Sequence, residues 1–198
     1  MNRLFVAAAA ALACSLAQAG PTLLINGNFE ADVLDVSNGG YTKVAAGQTT
    51  ILGWTVGGTS VDLIRNNYGA ITNVSVDLAG TPGPGTLSQS FAVVAGETYE
   101  LAFDYYRNGA GTSLTVGFGD LAPIVLGAPG AVTHKTYTWT AATTGLASVS
   151  FASGAGNSGP TLDNVSVTSL TAVPEPQSAA LALLALAAGS LATRRRAR

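Results

Sequence analysis

The chain has 198 residues, nine of them basic and eleven acidic, for a formal charge of −2, with 24 glycines but one cysteine and one histidine. So few thiols exclude a disulfide framework, and so few basic side chains exclude a lysine- and arginine-built surface for nucleic acid. Apolar residues make up 47% of the sequence, and their longest runs lie near the two ends.

Residues 1–19 read as a secretory signal peptide. Arg3 supplies the positive start, Leu4 to Leu16 the short apolar run, and Ala17-Gln18-Ala19 the small-residue cleavage site. The run is too short to cross a bilayer, which needs roughly 20 apolar residues, so signal peptidase is expected to cut after Ala19. Cys14 lies inside the leader, and cleavage leaves the mature chain without a thiol. The rival reading, Cys14 as the lipid-accepting residue of a lipoprotein signal, places Leu12 one position too near the cysteine.

Residues 20–172 form the expected domain, long enough for one core and too short for two. Ten carboxylates face four basic residues there, a formal charge of −6. No long 3.6-residue periodicity occurs. Short runs rich in Val, Thr and aromatic residues recur instead, at Thr22–Ile25, Gly53–Val56, Ser60–Arg65, Val74–Leu78, Thr86–Val94, Thr98–Tyr106, Ser113–Phe118, Val132–Thr140, Ala147–Ala152 and Leu162–Thr168. Gly-, Pro- and Asn-rich segments separate them, which predicts an all-β sandwich or barrel. The alternation in Thr98–Tyr106 places Tyr99, Leu101, Phe103 and Tyr105 on a core face and Glu100, Asp104 and Tyr106 on a wet one. In Val132–Thr140, Lys135, Tyr137 and Trp139 share one face.

Residues 173–198 repeat the logic of a membrane anchor. Pro174-Glu175-Pro176 holds the chain extended, an Ala/Leu stretch within 178–193 predicts a short transmembrane helix, and Arg194, Arg195 and Arg196 resist translocation. The basic cluster follows an apolar helix, so it reads as a membrane flank and not as a nucleic-acid site. Pro-Glu-Pro, helix and arginines in that order resemble the PEP-CTERM sorting signal. The resemblance implies recognition by an exosortase, cleavage near Pro174-Glu175-Pro176, and a mature domain released or held at the cell surface; the alternative is an ordinary tail anchor.

A second resemblance runs through the domain. Leu24-Ile25-Asn26-Gly27-Asn28-Phe29-Glu30, Gly53-Trp54, Val61-Asp62-Leu63-Ile64, Leu87-Ser88-Gln89-Ser90-Phe91, Gly96 to Asp104 and Leu162-Asp163-Asn164-Val165 follow the order found in choice-of-anchor C proteins. The chain is also similar to carbohydrate-binding modules of the galactose-binding-like type. The resemblance implies a jelly-roll β-sandwich and a structural Ca²⁺ held by acids matching Glu30 and Asp163. Hard oxygen ligands suit that ion, and strand-end capping is the alternative role for both acids.

Catalysis finds little support. His134, in a Thr-rich strand, has no nucleophile elbow to serve, and Glu30, Glu100 and Asp104 are the first carboxylates a glycosidase would draw on. Sugar binding needs an aromatic platform with a few oriented polar groups. The candidate rings are Tyr41, Trp54, Tyr68, Tyr105, Tyr106 and Trp139; Tyr106-Arg107-Asn108 and Asn66-Asn67-Tyr68-Gly69 are the surface clusters, whereas Trp54, Tyr105 and Trp139 sit where large aromatics fill a core. The sequence thus points to a non-catalytic exported domain that binds or is embedded in extracellular polysaccharide. The alternative is a structural or adhesive matrix protein packing against protein partners.

Overall fold

The computed structural model describes residues 20–32, 40–65, 68–108, 113–127, 129–156 and 158–170. The expected signal peptide with Ala19, and the expected tail with Pro174, Glu175, Pro176 and Arg194 to Arg196, lie outside these residues. Among the described residues no helix is long and apolar enough to cross a membrane.

Eleven strands form two antiparallel sheets. They are β1 (Tyr41–Ala45), β2 (Thr55–Gly58), β3 (Ser60–Ile64), β4 (Ser75–Asp77), β5 (Gly85–Val93), β6 (Thr98–Arg107), β7 (Leu114–Phe118), β8 (Ile124–Leu126), β9 (Thr133–Thr140), β10 (Gly145–Ser153) and β11 (Pro160–Ser169). The first sheet runs β1-β3-β4-β11-β6-β9 and the second β2-β5-β10-β7-β8. The expected jelly-roll sandwich is what the residues build.

The core lies where the two inner faces meet. Tyr99, Leu101, Phe103 and Tyr105 of β6 are all buried, alternating with half-buried neighbours, as the period of two requires. Phe103 meets Phe151 of β10 edge-on at 5.2 Å, and Phe151 lies 6.4 Å from Trp54. Burying one such side chain stabilises the fold by about 1.5–3 kcal/mol. Lys135, Tyr137 and Trp139 of β9 point inward together, with Trp139 the most buried.

Three expectations about strands need correction. Thr22–Ile25 is not a strand: it touches β11 through one backbone bond, Leu23 N–H to Val167 O. The Gln89 side chain replaces a neighbouring strand there, accepting from Ile25 N–H at 2.6 Å and donating to Ile25 O at 3.0 Å. The run at Gly53–Val56 begins two residues late, because Gly53 is left-handed (φ 81°) and Trp54 N–H closes a turn onto Ile51 O. Strands β1 and β8 lie in segments not expected to pair; β8 is a three-residue sheet edge.

Candidate functional site

The loop between residues 26 and 32 is shaped by three constraints. Asn26 and Phe29 both take positive φ (51° and 56°), and for a bulky residue such as Phe29 that conformation is strained. Burial holds it: Phe29 is fully enclosed and its ring lies 5.6 Å from Trp54, whose indole N–H donates to Asn26 O. Asp32 clamps the loop from the other end, accepting from Asn26 Nδ2 at 2.8 Å and from Leu52 N–H at 2.9 Å. Gly27 lies directly against β11, accepting the Val165 N–H at 2.8 Å.

That docking places Glu30 beside Asp163. Strand β11 breaks register between Asp163 and Ser166, with Asn164 left-handed (φ 49°) at the bulge. The Thr72 hydroxyl sits 2.6 Å from Asp163 Oδ2, 3.0 Å from Glu30 Oε1 and 3.3 Å from Val74 O. The one Thr72 hydroxyl proton serves one of those three oxygens at a time. Val74 N–H also donates to Glu30 Oε1, and Ser75 Oγ–H to Asp163 Oδ2 at 2.7 Å. Burial holds the Asp163 carboxyl above its ordinary range, against the opposing effect of the Thr72, Ser75 and Asn164 hydrogen bonds. Among the described residues no third Asp, Glu, His or Cys joins the group. Two carboxylates, a hydroxyl and a carbonyl are nonetheless oxygen donors of the kind Ca²⁺ takes, four of the six to eight that it coordinates.

The second feature is aromatic. Tyr41 opens β1, and Tyr68 follows β3 on the covering loop; their rings lie 5.3 Å apart at 59°. Tyr68 is 41% exposed. Tyr106 and Asn108, expected to touch a ligand, brace this loop: the Tyr106 hydroxyl donates to Gly69 O, and Asn108 Nδ2 to Tyr68 O at 3.2 Å and Asp77 Oδ2 at 2.8 Å. Arg107 is exposed, but alternation along β6 turns it away from Tyr106. Asn66 and Asn67 lie outside the described residues.

The remaining expectations sort cleanly. Trp54, Tyr105 and Trp139 are buried in the core. His134 is 61% exposed on the outside of β9, its Nδ1 2.7 Å from Asp104 Oδ1, while Asn164 Nδ2 donates to the other Asp104 oxygen. Two of the three carboxylates named for a glycosidase thus sit at the two ends of one polar network bridged by Asn164, Glu30 with Thr72 and Asp163 and Asp104 with His134.

A family model described as "Protein of unknown function (DUF642)" matches residues 22–168, from the Gly27 loop through the β11 bulge. The chain belongs to the DUF642 family. No curated protein matches its sequence. The DUF642 domain is similar to a solved structure described as "CBM4 structure and function", at 15% identity and a TM-score of 0.41 over 74% of this chain and 99% of that one. It is similar to a family 35 carbohydrate binding module from Clostridium thermocellum, at 15% identity and a TM-score of 0.42 over 64% of this chain and 97% of the other. An exo-beta-1,3-galactanase from Phanerochaete chrysosporium is similar at 17% identity and a TM-score of 0.42, covering 65% of this chain and 29% of its own.

Sequence reasoning about the DUF642 domain missed Thr72 and Ser75, which join Glu30 to Asp163 from a Thr- and Ser-containing loop with no motif of its own. It also missed Asp62 and Asp77, direct cross-strand partners on β3 and β4, both at least nine-tenths buried. Alternation gives no signal of their burial: it sets both on the face opposite Leu63 and Val76, which a half-exposed strand leaves wet, whereas every residue of β3 and β4 is buried.

Proposed function

We propose that this DUF642 domain is a non-catalytic, extracellular carbohydrate-binding module whose platform is the Tyr41–Tyr68 pair. The observation that carries the reading is the exposed Tyr68 ring, tilted against Tyr41 and fixed from below by the Tyr106 and Asn108 hydrogen bonds to its own loop. A pyranose presents an apolar C–H face to such a ring, and a preorganised ring loses little freedom on binding. The excess of carboxylates favours neutral or cationic glycans over acidic ones. In this reading Glu30 and Asp163, with the Thr72 hydroxyl and Val74 carbonyl, hold a structural Ca²⁺ that ties the loop to β11.

A glycan array tests it. Wild-type protein is expected to bind a subset of polysaccharides, and Tyr68→Ala to lose those signals by about tenfold or more, which is about 1.4 kcal/mol. A second reading, adhesion through protein partners, is favoured by the exposed Leu146 (79%) and Val125 (67%) of the five-stranded sheet. Silence of the wild-type protein across the array supports that reading over the first.

The leader and tail supply the route: export with cleavage after Ala19, then exosortase-type processing near Pro174-Glu175-Pro176 and retention of the arginines in the membrane. Intact mass checks this in the host. The recovered protein is expected to lack both ends, and Glu175→Ala to accumulate with its tail attached. A wild-type mass that retains Arg194 to Arg198 identifies a plain tail anchor instead.

A further inference from the structure

A cleft opens between the end of β9 and strands β5 and β10 of the five-stranded sheet, and the Tyr41–Tyr68 platform plays no part in it. It begins at Trp139, the last inward aromatic of β9. The indole packs on Gly119, which follows β7 in a left-handed conformation (φ 58°); an ideal Cβ there would fall 2.4 Å from the indole Cε2. Only glycine allows the ring to lie this close. Phe118 packs edge-on against the same ring at 5.7 Å, and Tyr99 lies 6.0 Å away, so the indole is locked. Its N–H donates to Asp120 Oδ1.

Beyond the indole the surface opens into a cleft of about 390 Å³, within the range of roughly 300–1,000 Å³ typical of small-molecule sites. Leu146 forms an apolar shelf at its mouth, and Ser90 and Ser148, direct partners across β5 and β10, contribute hydroxyls. Asp120 is the one charged side chain lining it, and among the described residues no basic group pairs with that carboxylate. A cleft with an aromatic wall, an apolar shelf, hydroxyls and one unneutralised carboxylate fits a ligand that is polyhydroxylated and positively charged. An ammonium there gains a charge-assisted hydrogen bond to Asp120.

We infer that the Trp139–Asp120 cleft binds a sugar unit carrying a free ammonium group, as in a deacetylated amino-sugar polymer. The net negative charge of the domain draws such a polymer toward it. The inference goes beyond the platform reading and does not depend on it.

The test is a titration of the protein with a glucosamine tetramer, its N-acetylated counterpart and a neutral glucan tetramer, in low-salt, mildly acidic buffer, followed by tryptophan fluorescence. The free amine form is expected to bind about tenfold more tightly than the acetylated one, and high salt to weaken it. Asp120→Asn, an exposed and conservative change, is expected to remove that preference. Ser90→Arg, which places a positive charge at the rim of the cleft without touching the core, is expected to abolish amine binding, whereas Tyr68→Ala leaves it intact. Equal affinity for both tetramers, no binding of the amine form, or undiminished preference in Asp120→Asn overturns the inference. So does loss of amine binding in Tyr68→Ala alone, which assigns the ligand to the platform. An array silent to neutral glycans together with amine binding at Asp120 would sink the platform reading and leave this one standing.

Discussion

Gly27→Ala is expected to destabilise the domain by about 4 kcal/mol or more, at the far end of what single substitutions do. A Cβ on Gly27 would lie 1.8 Å from Val165 O and 2.9 Å from its carbonyl carbon, both backbone atoms with no rotamer to yield. The loop must move off β11, which breaks the Val165 N–H to Gly27 O bond and pulls Phe29 out of its contact with Trp54. Chemical denaturation measures the loss. Gly145→Ala is the control, since nothing lies within 4 Å of its Cβ, and should change stability by no more than about 0.5 kcal/mol. The same displacement separates Glu30 from Thr72 and Asp163. Millimolar Ca²⁺ should therefore raise the melting temperature of the wild type, as any ligand selective for the folded state does. It should do nothing for Glu30→Gln or for the folded fraction of Gly27→Ala. Equal melting temperatures with and without Ca²⁺ in the wild type would refute the ion.

Raising the pH from about 4 to about 6 is expected to weaken the fold by about 2 kcal/mol through Asp77 alone. Burial pushes this carboxyl from 3.8 up to about 6, overriding the hydrogen bonds from Ala79 N–H, Gly159 N–H and the Asn108 amide, and Asp62 across the ladder raises it further. Asp62 is raised as well, chiefly by burial: the Thr81 N–H and hydroxyl satisfy one of its oxygens, and the other is buried with no partner. Both groups hold protons in the folded state at pH values where the unfolded chain has released them. The Asp77 contribution is fully present below about pH 3.8, falls as pH rises, and is lost above about 6. The melting temperature is expected to be higher at mildly acidic pH than at pH above 7, opposite to ordinary acid denaturation. Asp77→Asn should flatten the profile, because its side-chain carbonyl still accepts from Ala79 and Gly159 while the group no longer titrates. A melting temperature that climbs steadily from pH 4 to 7 in the wild type would contradict the assignment.

The strands of the core were legible because their signal is local. Alternation in β6 and the shared face of Lys135, Tyr137 and Trp139 need only neighbouring residues, and both hold. Thr22–Ile25 looked like a strand by the same measure, yet Gln89, 64 positions away, satisfies its backbone. No local rule reaches that far. The site shows the same division. The pairing of Glu30 with Asp163 was legible through resemblance, but Thr72, 91 positions from Asp163, carries no motif. Tyr106 and Asn108 lie at the C-terminal end of β6, where their side chains meet the loop that carries Tyr68. Which partner a surface tyrosine meets depends on how a covering loop closes, and composition does not encode that. Tyr41 fell in a segment with no strand signal, so its meeting with Tyr68 became visible only in three dimensions.

The central claim is that the Tyr41–Tyr68 pair binds glycan. Equilibrium binding of the exported protein to soluble extracellular polysaccharide, wild type beside a Tyr41→Ala/Tyr68→Ala double variant, tests it most directly. The account predicts saturable binding by the wild type and a loss of about tenfold or more in the double variant, with the melting temperature unchanged. No binding by the wild type, or equal binding by both proteins, would contradict it.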